Sequence, residues 1–262
     1  MRIEENRSHR PPTPALVSIV TPVFNSEAFL AETIDGVLAQ TWTSWELFLV
    51  DDSSTDGSLK IAREYAARDP RITVIALERT QGPAVARNRA IDAAQGRYIA
   101  FCDSDDVWLS CKLERQLAHA AESDAAVIFS SYYKMSEDGS HTSRIVMAKP
   151  LVTYGMLRAS NYIGCSTALY DTERCGKVRM PDIIKRQDYG LWLTILRSGF
   201  TAAGIPEPLV HYRVRKRGVS SNKLQAARYH WKVLRQCTDE SLLSSLILVM
   251  RYAWIGWRKS RT

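Results

Sequence analysis

The apolar positions of this chain fall into short blocks with two alternating rhythms. Residues 16–23, 45–50, 71–77 and 98–102 are strand-length runs that are apolar nearly throughout, as strands covered on both faces are. Between them, residues 27–40, 58–67 and 84–94 repeat their apolar positions at helical spacing. In the first of these, Phe29, Leu30, Ile34, Val37 and Leu38 share one face. Strand and helix alternate four times, which predicts an α/β fold with a mostly parallel central sheet flanked by helices. Pro22 lacks a ladder donor, so the first strand is expected to stop there and open into a loop.

The second half is less regular. Residues 125–133 predict a strand, 136–141 a hairpin turn around Asp138-Gly139, and 142–147 the returning strand. Residues 161–170 read as a strand of small polar side chains suited to lining a cleft. An apolar helix is expected over 191–196 with Asp188 just ahead of it, where it could cap the helix. Beyond a strongly basic stretch, 209–222, a helix over 225–236 should turn Trp231 and Leu234 inward. Residues 242–257 are apolar with Arg251 among them and Arg258, Lys259 and Arg261 following. That run is too short and interrupted for a confident span. It suits either a helix packed on the domain or one lying on a membrane surface. The expected division is a disordered tail over 1–14, a main domain over 15–222 and a C-terminal helical appendage over 223–262.

In such sheets ligands bind beyond the carboxyl ends of the strands. Here those ends carry Thr21 and Asn25, Asp51 and Asp52, and Asp103 and Asp105. In an extended chain Asp103 and Asp105 project the same way, and like charges that close need a neutralising partner. A hard divalent cation with oxygen ligands is the natural one; a turn that caps the following helix, 113–121, is the plain alternative. No Gly-x-Gly-x-x-Gly follows the first strand and no P-loop is present, which disfavours a dinucleotide oxidoreductase. Without a glycine cradle, a metal on the aspartate pair would neutralise the phosphates.

Composition changes this picture little. With 262 residues, 45% of them hydrophobic and 24% charged, the chain can build one ordinary domain with an appendage. A net charge of +7 favours anionic partners such as nucleotide phosphates or acidic head groups. Its basic residues form no stripe interleaved with aromatics, so nucleic acid is not an expected partner. The five cysteines show no metal or redox spacing, and reduced thiols in the cytoplasm are expected. Residues 1–14 have no apolar run of signal-peptide type.

Four ordered motifs carry a resemblance. Val-Ser-Ile-Val-Thr-Pro-Val-Phe-Asn (17–25), Leu-Val-Asp-Asp-Ser-Ser-Thr-Asp-Gly-Ser (49–58), Gly-Pro-Ala-Val-Ala-Arg-Asn-Arg-Ala-Ile (82–91) and Phe-Cys-Asp-Ser-Asp-Asp-Val-Trp (101–108) resemble those of the family 2 glycosyltransferases. The likeness spans roughly 16–222. It implies the GT-A fold and an inverting, metal-dependent transfer of a sugar from a nucleoside diphosphate, UDP favoured. The acceptor would be a hydroxyl of a glycan or a polyprenyl-diphosphate-linked saccharide in bacterial polysaccharide synthesis. That would place the protein at the cytoplasmic face of the inner membrane. A non-catalytic nucleotide-sugar binding module is the alternative.

The resemblance also implies roles. Thr21, Pro22, Phe24 and Asn25 match the loop receiving the nucleoside, and one of Asp51 and Asp52 would hold the base or ribose. Gly82, Arg87, Asn88 and Ser104 match positions beside the donor. Asp103 and Asp105 would hold Mn²⁺ or Mg²⁺, with His211 as a third-ligand candidate. Asp188 matches the general base, although its neighbour is Gln187 where the family often has glutamate. Trp108, Gln187, Arg213, Arg215 and Ser220 are expected at the acceptor or in a closing lid. The Gln-x-x-Arg-Trp motif of processive relatives is absent.

Overall fold

The computed structural model describes residues 14–215 and 223–258. The first half follows the expected alternation: β1 (Val17–Val23), α1 (Leu30–Leu38), β2 (Trp45–Asp51), α2 (Ser58–Ala66), β3 (Ile72–Ala76), α3 (Pro83–Ala93) and β4 (Tyr98–Phe101). These four strands pair in parallel in the order β3-β2-β1-β4. Their side chains sort by the pleat. Val17, Ile19, Val23, Leu47, Leu49 and Ala100 face α1, α2 and α4 (Lys112–Ala121), while Val20, Phe48, Val50, Ile99 and Phe101 face α3 and α7 (Gln187–Arg197). A sheet covered on both faces needs such unbroken apolar runs, which is why the four strands are plain in the sequence.

β1 does not stop at Pro22. Val20 O accepts from Cys102 N, and Val23 O accepts from Asp52 N, so the ladder toward β4 has ended by the time the chain reaches the proline. The missing Pro22 donor points to that vacated side, where no ladder bond is lost. α1 also begins later than residue 27. Residues 27–29 form a turn instead, in which Glu27 N donates to Asp56 Oδ2 and the Glu27 carboxylate accepts from Gly57 N.

The second half turns the sheet antiparallel. β5 (Val107–Trp108) precedes α4, and β6 (Val127–Ser136) and β7 (His141–Val146) form the expected hairpin, with Gly139 at φ 84° in its turn. β8 (Leu151–Val152) and α5 (Tyr154–Ala159) follow, neither of them expected from the pattern. The predicted strand over 161–170 is instead a 3₁₀ turn at Cys165–Thr167 followed by β9 (Ala168–Asp171). Asn161 Oδ1 accepts from Ile163 N and Thr167 Oγ1 donates to Gly164 O. Short polar side chains here take backbone partners that a strand would use. β9 runs antiparallel to both β4 and β6 and joins the two halves. α6 (Thr172–Cys175), α7 and β10 (Ala202–Val214) complete the sheet, β10 lying parallel to β6.

α8 (Lys223–Cys237) and α9 (Leu242–Arg258) follow. Val233 and Cys237 of α8 belong to the same buried cluster as Tyr189, Leu191 and Trp192 of α7. On α8 it is His230, Val233, Leu234 and Cys237 that are buried, whereas Trp231 is only partly so. No helix among the described residues is long and apolar enough to cross a membrane.

Candidate active site

The strand ends are stitched together by their own loops. Asn25 adopts φ 47°, and its Oδ1 accepts from Thr55 N at 2.9 Å while its backbone N donates to Ser54 Oγ. Ser26 Oγ meets Ser104 Oγ at 2.7 Å and Ser26 N donates to Ser58 Oγ. The loops after β1, β2 and β4 therefore form one platform, with Phe24 standing 47% exposed on it.

The neighbouring aspartates at the end of β2 do different things. Asp52 accepts from Gln81 N at 2.7 Å and Gly82 N at 2.8 Å, so both its oxygens fasten the start of α3. Asp51 is buried and accepts from Ser54 N through Oδ2, while its Oδ1 has no hydrogen-bond partner. Thr21 Oγ1, on the same sheet face, is likewise buried without one. Buried polar atoms left so are costly and mark where an outside partner belongs. Asp51 is thus the member of the pair with capacity left for a ligand.

α3 delivers Arg87 to the end of β4. Its Nη2 lies 2.5 Å from Asp103 Oδ1, and the guanidinium is almost wholly buried. Burial alone would weaken its hold on the proton, but the Asp103 carboxylate, Cys165 and the Asp188 charge beyond push its pKa up. Asn88, beside it, is engaged at both ends of its amide: Nδ2 donates to Met180 O and Oδ1 accepts from Met180 N. It holds the loop ahead of α7 to α3.

Asp103 and Asp105 lie at the surface edge, each partly exposed, and Arg215 Nε stands 2.7 Å from Asp105 Oδ2. The Asp105 carboxyl titrates above the usual range because of burial and then of Asp103 beside it. Buried Asp106 is pushed well up by burial and by both neighbours. It accepts from Ser166 Oγ and from Arg213 N, and Ser166 Oγ in turn accepts from Asp103 N at 3.0 Å. Two neighbouring carboxylates, each with one oxygen outside these ion pairs, suit a hard divalent cation completed by ligand oxygens and water. No third protein group joins them: among the described residues no three His, Cys, Asp or Glu side chains converge on a point. His211 stacks on Tyr133 with ring centroids 5.2 Å apart.

Asp188 lies in the first turn of α7 rather than ahead of it, since the helix begins at Gln187 and its N-cap is Arg186 at φ 66°. Asn161 Nδ2 is 3.5 Å from Asp188 Oδ2. Burial raises the Asp188 pKa, while Arg87 and the Tyr189 backbone N–H pull it back. The helix dipole adds to that pull.

Three residues expected at the acceptor or lid are interior. Trp108 is 2% exposed, donates Nε1 to Ser166 O and lies under Lys112 Nζ. Gln187 is buried with Nε2 turned back to Ile184 O. Arg213 clamps the site from below: Nε donates to Asp105 O, Nη1 to Glu137 O, and Nη2 meets Glu32 Oε2 at 2.5 Å. Ser220 lies outside the described residues. No motif or periodicity singles out Ser166, Glu32 or Arg186. Ser166 sits in a run of small residues, and only the fold carries it to the Asp103 loop.

This sheet, with acidic and hydroxyl groups gathered beyond its strand ends, is that of a GT-A glycosyltransferase. The chain belongs to Glycosyl transferase family 2, whose profile matches residues 18–171, and it is a glycosyltransferase. It is 41% identical over 238 residues (91% of this chain, 94% of the relative) to TuaG of Bacillus subtilis (strain 168), assigned to teichuronic acid biosynthesis. It is 33% identical over 245 residues (93% and 94%) to the Escherichia coli UDP-Glc:alpha-D-GlcNAc-diphosphoundecaprenol beta-1,3-glucosyltransferase WfgD. Among solved structures, Staphylococcus aureus TarS in complex with UDP aligns with a TM-score of 0.66 at 21% identity, covering 90% of this chain and 70% of that one. The mannosyltransferase PcManGT of Pyrobaculum calidifontis with GDP-Man and Mn²⁺ aligns at 0.67 and 20%, covering 94% and 71%.

Proposed function

We propose that the protein is an inverting glycosyltransferase that moves a sugar from a UDP-sugar to a hydroxyl of a lipid-linked or glycan acceptor in bacterial polysaccharide synthesis. The observation that carries this reading is the line of charge Asp103–Arg87–Asp188, which ties the diphosphate end of the site to the base. Phe24 and Pro22 offer an apolar platform to the nucleoside, and Asp51 Oδ1 an unfilled acceptor for its donors. Asp188 takes the proton of the acceptor hydroxyl as that oxygen bonds to the anomeric carbon. The bond to the diphosphate breaks on the opposite face, so an α-linked donor gives a β-linked product. Mn²⁺ or Mg²⁺ held by Asp105 and Asp103 would, when bound, offset charge on the departing diphosphate. Arg215, now on Asp105, is the cation placed to follow that charge.

The acceptor's lipid fits α9. Leu242, Leu243, Leu246, Ile247, Met250 and Trp254 are each at least half exposed and recur along one side of the helix. With Arg251 on the helix, and Arg258, Lys259 and Arg261 following in the sequence, that face suits the head-group layer at the cytoplasmic side of the inner membrane. Vesicles with anionic lipid should pellet the protein, and Leu246→Ser with Met250→Ser should leave it in the supernatant.

The deciding experiment is calorimetry of UDP with and without Mn²⁺, then a UDP-sugar panel, on wild type, Asp105→Ala and Asp188→Asn. Metal-dependent UDP binding lost in Asp105→Ala, with turnover alone lost in Asp188→Asn, supports the reading. Full turnover by Asp188→Asn removes Asp188 as the base, and binding without any turnover leaves a nucleotide-sugar binding module.

A further inference from the structure

The two C-terminal helices close on the helix that carries Asp188. His230 of α8 is wholly buried between two parallel rings: Tyr189 of α7 at 5.2 Å and 12°, and Tyr252 of α9 at 4.3 Å and 13°. Neither imidazole nitrogen meets hydrogen-bond geometry, and the polar group facing it is the Arg158 backbone. The stack holds this histidine by both faces of its ring, with the Arg158 backbone at its edge. On its far side the Tyr252 hydroxyl accepts from Arg186 Nη2, and the Arg186 guanidinium lies 4.8 Å over the Tyr252 ring. Arg186 is the left-handed N-cap of α7, two residues before Asp188. Left-handed backbone is strained for arginine and persists where surrounding contacts impose it. Tyr189, next to Asp188, is pinned from the other side as its hydroxyl donates to Leu157 O at 2.8 Å.

We propose that the stack Tyr189–His230–Tyr252, closed on Arg186, sets the position of Asp188, so that α8 and α9 belong to the catalytic unit and His230 and Tyr252 are positioning residues. The inference rests on Asp188 being the base. The first turn of α7 is held on one side by Arg186 and on the other by Tyr189, and both of those contacts end on the C-terminal helices. Misplacement of a reacting group by about 1 Å can cost on the order of a hundredfold in rate.

Three full-length variants test this: His230→Ala, which empties the slot; His230→Phe, which refills it with a ring; and Tyr252→Phe, which keeps the stack and removes the hydroxyl that holds Arg186. Initial rates with a UDP-sugar, calorimetry of UDP and hydrogen exchange over residues 184–193 are measured together. The expected result for His230→Ala is a kcat lower by roughly tenfold or more, unchanged donor KM and UDP affinity, and faster exchange over 184–193. His230→Phe should restore all three, and Tyr252→Phe should lower kcat with melting temperature unchanged. Wild-type kcat in both His230→Ala and Tyr252→Phe overturns the proposal, as does a loss in His230→Ala that His230→Phe fails to rescue. If His230→Ala does not fold, Tyr252→Phe decides. An inactive wild type would count against the sugar-transfer reading, and the exchange data on 184–193 would still answer for the stack.

Discussion

Arg87 and Asp103 form a buried-to-surface ion pair, Nη2 to Oδ1 at 2.5 Å, at the place proposed to receive a divalent cation. The guanidinium already occupies one Asp103 oxygen, so it competes with a metal there while supporting the ionised form of Asp188. Replacing it with Gln should have opposite effects on two measurements. Mn²⁺ alone should bind more tightly by calorimetry, and turnover should fall by about tenfold or more as Asp188, the proposed base, loses the cation that most favours its ionised form. Unchanged values of both would detach Arg87 from the site.

The two aspartates after β2 should separate cleanly. Asp52→Ala removes the acceptor of two backbone N–H groups at the start of α3, a loss of about 2 kcal/mol that thermal or urea unfolding would read. Asp51→Asn should keep the melting temperature and weaken UDP binding instead.

The pH dependence of turnover follows from Asp188. Its pKa is raised, chiefly by burial, and as the proposed base it must be ionised to act. Turnover should therefore fall as pH drops through a value above the ordinary carboxylate range, and the fall should move to still higher pH in Arg87→Gln. A rate flat down to the ordinary aspartate range would contradict the assignment.

Acid stability follows from His230. Burial, then the Arg186 cation, lowers its pKa from 6.5 to about 3; Tyr189, Tyr252 and the Arg158 backbone also face it. The unfolded imidazole takes up a proton that the folded one refuses, so its contribution is full above pH 6.5 and is lost as pH falls toward about 3. His230→Phe should flatten that part of the stability–pH curve, measured by urea unfolding.

Gly190 is the close-contact point of α7. A Cβ there would lie 2.4 Å from Pro181 Cγ and 3.1 Å from Cys237 Sγ. Gly190→Ala should cost about 2 kcal/mol in unfolding free energy as the helix is forced off its neighbours.

The first half of the fold was legible because β1, β2 and β4 are buried on both faces and each helix on one, which gives two distinct periods. Pro22 misleads because a sequence does not show which side of a strand has already lost its partner. The aspartates were legible as a cluster, but not their division of labour. Asp51 and Asp52 differ only in which sheet face they address, and that depends on register with β1. Trp108, Gln187 and Arg213 read as ligand groups because they are polar or aromatic beside a motif, yet each is satisfied by partners that only the fold supplies. Arg213 reaches Glu32 across the β10–α1 distance. Ser166 and Tyr252 were illegible for the same reason, since small or common residues gain their role from what packs on them.

β9 carries a consequence for how this enzyme is made. The Asp103 loop is held by Ser166, and β4 gains its second neighbour only from β9. During synthesis the first half therefore leaves the ribosome with β4 as a bare edge and its acidic loop tied only to Ser26 and Arg87. That edge is not closed until residues through Asp171 have emerged. Until then the exposed edge is a template for pairing with other nascent chains, so slow translation between α4 and β9 would be the interval in which this chain is most in need of a chaperone.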